Sequence, residues 1–147
     1  MEVKYAKRMM TEGGSEISDI LALTAKPEVI SFAGGLPAPE LFPVEDMERM
    51  ANEVLEEVGR VALQYSSAQG FPKFRQQIAD RMNDKQKTNV KADDILITSG
   101  SQQALEFSAK IFIDEGDVIL CESPTYLGAL NAFNGYGPKY IEVETDE

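Results

Sequence analysis

Ile95-Leu96-Ile97-Thr98-Ser99-Gly100-Ser101-Gln102-Gln103-Ala104 decides the fold. Four residues of buried-strand character end in a Ser-Gly-Ser break, and a helical pattern begins at once, running from Gln102 to Ile113. Ala104, Leu105, Phe107, Ala109, Ile111, Phe112 and Ile113 make that helix apolar on most faces, so burial on more than one side is expected. The alternation then repeats. Val118-Ile119-Leu120-Cys121 reads as a second buried strand, Tyr126 to Asn134 as a second helix, and Tyr140-Ile141-Glu142-Val143 as a third strand. Parallel neighbours need a long crossover, and a helix supplies it, so this βαβαβ order predicts a parallel sheet and the α/β class.

Nearer the N-terminus, the first ten residues are polar and basic and read as a loosely held arm. Ser15 offers an N-cap, and Ile17, Ile20, Leu21 and Thr24 follow at helical spacing, with Lys26-Pro27 as the stop. Val29-Ile30-Ser31-Phe32 is a short strand-like run into Ala33-Gly34-Gly35-Leu36-Pro37-Ala38-Pro39, a loop whose glycines and prolines suit neither a helix nor a central strand. From Asp46 a strong helix is expected, with Met47, Met50, Ala51, Val54, Leu55 and Val58 as its stripe, a Glu45–Arg49 pair on its surface and Gly59 at its end. A polar loop, Leu63 to Gly70, leads to Pro72 at the start of a helix with Phe71, Phe74, Ile78 and Met82 on one face; Asn83 to Lys91 is a polar connector.

Composition narrows the chemistry. The chain has 147 residues, 14 basic and 25 acidic side chains and a net charge of −11, a poor match to nucleic acid or anionic membrane. Histidine is absent, which removes Ser-His-Asp and Cys-His hydrolysis and His-ligated metals from this chain. The single cysteine, Cys121, permits no intrachain disulfide and no Cys-rich metal site, and within an apolar strand it reads as core. No metal is expected. Neither a membrane-length apolar run nor a signal-peptide pattern is present, so a soluble, cytoplasmic protein is expected.

Two stretches carry chemistry. Ser99-Gly100-Ser101 joins a strand to a helix, where open backbone N–H groups, hydroxyls and a glycine make an anion cradle at the carboxyl edge of a parallel sheet. A plain serine cap is at least as good a reading on spacing alone. No Walker loop or GxGxxG fingerprint is present. Glu122-Ser123-Pro124-Thr125-Tyr126 follows the next strand and sets an aromatic ring at the same edge. Taken alone, Tyr126 reads as packing on the sheet edge; together with the cradle it suggests a phosphorylated planar cofactor. Glu53, Glu56 and Glu57, and Asp114, Glu115 and Asp117, read as solvated surface.

At these residues the chain resembles the N-terminal part of fold-type I pyridoxal-phosphate aminotransferases, in the branch with 2-aminoadipate and aromatic or multi-substrate aminotransferases. Four blocks carry the resemblance: Ser15–Thr24 with Ile30–Pro43, Leu63–Arg75, Ile95–Leu105, and Asp117–Tyr126. The same domain occurs in transcription regulators behind a helix-turn-helix module; with the first block starting near residue 15, no such module is expected here.

The resemblance implies pyridoxal 5'-phosphate as cofactor, with amino acid and 2-oxo acid substrates. Gly100, Ser101 and Gln102 would hold the cofactor phosphate, and Tyr126 would stack on the pyridine ring. Tyr65 would cross a homodimer interface to the neighbouring subunit's phosphate, and Gly35 would lie beside the substrate carboxylate. It implies an arm, helix and substrate loop over 1–43 on the small-domain side, and an incomplete large domain over 44–147. In the family the cofactor-linking lysine, the aspartate on the pyridine nitrogen, the asparagine near the ring oxygen and the carboxylate-binding arginine lie further downstream. No lysine between Lys4 and Lys139 sits in the lysine's context, so this chain alone is expected to be inactive. The family sheet also inserts later strands between the first strand and the next two. Two other readings remain at this stage: a short non-catalytic module for phosphate or pyridoxal phosphate binding or dimerisation, and an unrelated sugar-phosphate domain, which leaves three of the four blocks unexplained.

Overall fold

The computed structural model describes residues 3–6, 28–30, 32 and 35–145. The helix expected over Ser15–Thr24 lies outside them, as do Ser31, Ala33 and Gly34. The described residues of the expected Val29–Phe32 strand, Val29, Ile30 and Phe32, are in no ladder. By contacts the chain forms two units, residues 12–65 and residues 1–11 with 66–147.

In the first unit a single 3-10 turn, Pro39–Leu41, precedes helix α1, Val44–Ala62. Glu45 and Asp46 occupy the first turn of α1 and Arg60 the last, each sign at the end the helix dipole favours. Gly59 does not end the helix. The backbone leaves helical values one residue earlier, at Val58 (φ −137°, ψ 19°), and then resumes, with the Leu63 N–H donating to the Gly59 carbonyl at 3.0 Å. A glycine weakens a helix by about 1 kcal/mol, which a further turn of hydrogen bonds can offset. Arg49 bonds Asp46 at 3.1 Å and Glu53 at 3.0 Å rather than the expected Glu45; all three carboxylates lie three or four residues away on the same face, and its guanidinium reaches two of them at once. The stripe itself, Met47, Met50, Val54, Leu55 and Val58, is exposed.

In the second unit, helix α2, Pro72–Gln86, starts on its proline as expected and buries Arg75 and Ala79. It runs three residues past Asn83, until Lys87 turns left-handed at φ 56°. Asn83 then shapes the connector: its Nδ2 donates to the Val90 carbonyl, and its Oδ1 accepts from the Val90 N–H and the Thr88 hydroxyl. A 3-10 turn at Ala92–Asp94 leads into Ile95–Thr98, and helix α3 spans Gly100–Phe112. Strand β1 (Val118–Glu122), helix α4 (Leu127–Asn134) and strand β2 (Lys139–Val143) complete the order. The strands pair in parallel, from Val118 opposite Lys139 to Glu122 opposite Val143. The turn into β1 is closed by Asp117, whose carboxylate accepts the Asp114 N–H at 2.8 Å while its carbonyl accepts the Lys139 N–H at 2.7 Å.

The α/β class and the parallel pairing are those expected, but only two of the three expected strands form a sheet among the described residues. Ile95–Thr98 is extended without a ladder; the Ile95 N–H closes the preceding turn onto the Ala92 carbonyl at 3.3 Å, and one long-range backbone bond, from the Ile97 N–H to the Gln69 carbonyl at 2.9 Å, holds it. Apolar, β-branched side chains favour an extended backbone, whereas a strand exists only where a neighbour supplies the other half of each hydrogen bond. The small sheet also limits burial. In β1, Ile119 and Cys121 are half-buried while Val118 and Leu120 are exposed, so Cys121 is not core. Ile111 and Phe112 of α3 are exposed too, and α3 is not buried on several sides. What α3 and α4 bury fully is small: Ala109 on α3, Gly128 and Ala132 on α4.

Candidate functional site

α3 begins where the chain makes a left-handed step: Gly100 has φ +79°. Only glycine takes that value without cost, so the Ser-Gly-Ser break is a backbone requirement. A Cβ built on Gly100 would meet nothing within 4 Å, which leaves open space on that side of the turn. Ser99 occupies the N-cap, yet its side chain makes no capping hydrogen bond. Its N–H instead donates to Gln103 Oε1 at 2.6 Å, and the Thr98 hydroxyl donates to the Gly100 carbonyl at 3.0 Å. The turn is thus braced by Gln103 of α3 and by Thr98 just before it. The first amides of α3, which have no acceptor within a helix, are left without a serine cap. The plain serine-cap reading is therefore not met at Ser99.

Gln102 joins this turn to the next helix. Its Nε2 donates to the Gly128 carbonyl at 2.9 Å, in a partly buried bond between the first turns of α3 and α4. Tyr126 is the N-cap residue of α4, and its ring folds back over Gly128. A Cβ at Gly128 would stand 2.5 Å from the ring Cζ and 2.6 Å from both Cε1 and the hydroxyl oxygen, so the glycine is what lets the ring lie there. Tyr126 remains 62% exposed. No acidic residue lies in the first turn of either helix, so the positive ends of the two helix dipoles are not offset by a carboxylate within those turns.

Gly100, Ser101, Gln102 and Tyr126 are therefore gathered at the adjoining N-terminal turns of α3 and α4. Gly35 and Tyr65 belong to the other unit. Gly35 has φ +55° with open space around it; Tyr65 is fully exposed, and its N–H donates to Gln64 Oε1 at 2.8 Å. Gln103 and Gly128 escape a reading of the sequence. The doubled glutamine and the Tyr-x-Gly spacing at a helix start are the signals that could have found them.

Elsewhere, the Tyr140 hydroxyl donates to Asn134 Oδ1 at 2.7 Å, and its ionisation is pushed above the ordinary tyrosine range by burial, with the nearby Cys121 adding to the effect. No helix among the described residues is long and apolar enough to cross a membrane.

Residues 28–147 match the family Aminotransferase class I and II, and the chain belongs to it. It is 42% identical over 146 residues to aromatic-amino-acid aminotransferase 1 of Thermococcus litoralis, across 99% of this chain and 35% of that one. The crystal structure of Pyrococcus horikoshii kynurenine aminotransferase, in complex with PMP, KYN as substrates and KYA as products, superposes with a TM-score of 0.87 at 38% identity; the match covers 97% of this chain and 35% of that one. The alpha-aminoadipate aminotransferase of Thermus thermophilus, complexed with N-(5'-phosphopyridoxyl)-L-leucine, gives a TM-score of 0.80 at 41% identity over 95% and 33% of the two chains. The chain thus spans about a third of the length of the relatives it matches.

Proposed function

We propose that the chain is the N-terminal part of a pyridoxal 5'-phosphate-dependent aminotransferase, a cytoplasmic homodimer that moves an amino group between an amino acid and a 2-oxo acid. Residues 1–43 belong to its small-domain side, and residues 44–147 begin its cofactor-binding large domain. The observation that carries this reading is the open Gly100 turn bound through Gln102 to the helix that Tyr126 caps, in a chain of the aminotransferase family. A phosphate and a planar ring are the two parts of one ligand that those features fit, and a relative of known structure binds a phosphopyridoxyl group.

Each residue has a task. The amides of Gly100, Ser101 and Gln102 and the Ser101 hydroxyl donate to the phosphate, where charge-assisted bonds at a helix N-terminus are strong. Gln102 does so through its backbone, because its side chain is engaged by Gly128. Tyr126 stacks on the pyridine ring. Gly35, with no side chain, leaves room for the substrate carboxylate, and Tyr65 reaches the phosphate held by the neighbouring subunit. Pyridoxal phosphate, when bound, supplies the electron sink for chemistry at the amino-acid α-carbon.

Ser101→Ala in the full-length protein tests the reading. Removing one hydrogen bond to a charged group costs about 1.5–3 kcal/mol, so the dissociation constant for pyridoxal phosphate should rise roughly tenfold or more, with that for unphosphorylated pyridoxal unchanged. Equal affinities of variant and parent for pyridoxal phosphate would refute the phosphate assignment.

A further inference from the structure

Ile95–Thr98 delivers the chain to the Gly100 turn, yet it has no ladder among the described residues. Among the described residues, its long-range restraint comes from one short stretch, Gln69 to Arg75. The Gln69 carbonyl accepts the Ile97 N–H at 2.9 Å. Gly70, at φ +104°, lies against the Ile97 side chain so closely that a Cβ on it would come within 2.7 Å of Ile97 Cβ and nearer still to Cγ1. Ordinary contact is 3.4–4 Å, so any side chain at 70 must push Ile97 away. Arg75 holds the other end. It is 6% exposed, and its Nη1 donates to the Ala92 carbonyl at 2.8 Å. The contact to Asp93 is long, at 3.4 Å, and the Asp93 side chain is 92% exposed, so the backbone carbonyl is the main acceptor.

We infer that Gly70 and Arg75 are positioning residues for the phosphate cradle: between them they pin the segment from Ala92 to Ile97 and so set where the Gly100 turn presents its amides. The inference rests on the proposed phosphate role of Gly100–Gln102. Ile97 lies three residues before Gly100 along an extended chain, so a displacement of Ile97 is passed directly to the turn. Neither residue touches the ligand. Each acts through the backbone, Gly70 by lacking a side chain and Arg75 by holding a carbonyl.

The test uses the full-length protein and two readouts, the ratio of dissociation constants for pyridoxal and pyridoxal 5'-phosphate, and amide hydrogen exchange over residues 97–103. In Gly70→Ala, exchange should quicken at Ile97 and through Ser101–Gln103. The phosphate preference should fall by about tenfold, the equivalent of one charged hydrogen bond, with pyridoxal affinity retained. Arg75→Gln should move both readouts the same way without altering the backbone at Gly70. Unchanged phosphate preference in both variants, or an equal loss for both ligands, would overturn the inference. Ser101→Ala separates the two claims. If it lowers the preference while Gly70→Ala and Arg75→Gln do not, positioning alone fails; if all three leave it unchanged, the phosphate reading fails as well.

Discussion

Helix α1 in residues 12–65 and the α3–α4 pair in residues 66–147 both carry apolar residues at helical spacing and end in different states. On α1 the aligned side chains are large, and they stay open to solvent, with Met47 61% and Leu55 51% exposed. The buried residues of α3 and α4 are Ala109, Gly128 and Ala132; the bond from Gln102 to the Gly128 carbonyl crosses from one helix to the other, and the Tyr136 hydroxyl, just past the end of α4, donates to Glu106 of α3. Periodicity decides which side chains share a face. Burial needs a second surface at the right distance, and small residues let two helix backbones approach closely enough to provide one.

The sharpest way to break this contrast is at Ala109, which is fully buried. Ala109→Leu adds volume at a closed site and should cost about 1–3 kcal/mol, read from the midpoint of denaturant unfolding. An unchanged midpoint would mean the packing around Ala109 is loose. The matching change on α1, Leu55→Ser, should alter the stability of the 147-residue chain by no more than about 0.5 kcal/mol, as expected for a site that is already solvated. A loss several times larger in the full-length protein would show that the stripe is covered there.

A smaller effect concerns pH. Because the Tyr140 ionisation is raised in the folded chain, first by burial and then by Cys121, the folded state holds this proton more tightly than the unfolded state does. Its contribution is fully present below the ordinary tyrosine value of 10.0 and is lost as pH rises through the elevated one. Tyr140→Phe should therefore flatten the alkaline decline in stability, leaving the neutral region unaffected by ionisation. A decline of the same slope in both proteins would place its cause elsewhere.

Much of the site was legible in residues 95–104. A buried-type run, a glycine flanked by serines and an immediate helix predict a helix start suited to an anion, and the left-handed Gly100 follows because no other residue takes that backbone cheaply. Pro72 at a helix start and the β1–α4–β2 order were equally plain. The end of α1 was not: Gly59 marks a weak point, but the break falls at Val58, and local propensity alone does not choose between ending a helix and bending it. The partners of Arg49 escaped as well, because several carboxylates lie within reach and side-chain packing selects among them.

The amino-acid sequence by itself determined the α/β class, the helical and extended segments, the absence of histidine chemistry and the two stretches that carry the proposed site. These follow from backbone sterics, hydrophobic period and side-chain inventory, which are local properties. Tertiary structure alone decided that Ile95–Thr98 has no ladder among the described residues, that Gln102 turns to Gly128, that Tyr126 lies over a glycine and that Gly70 abuts Ile97. Each depends on which distant residue arrives within a few ångströms, and hydrogen bonds and close contacts are satisfied by that arrival rather than by neighbours in the chain.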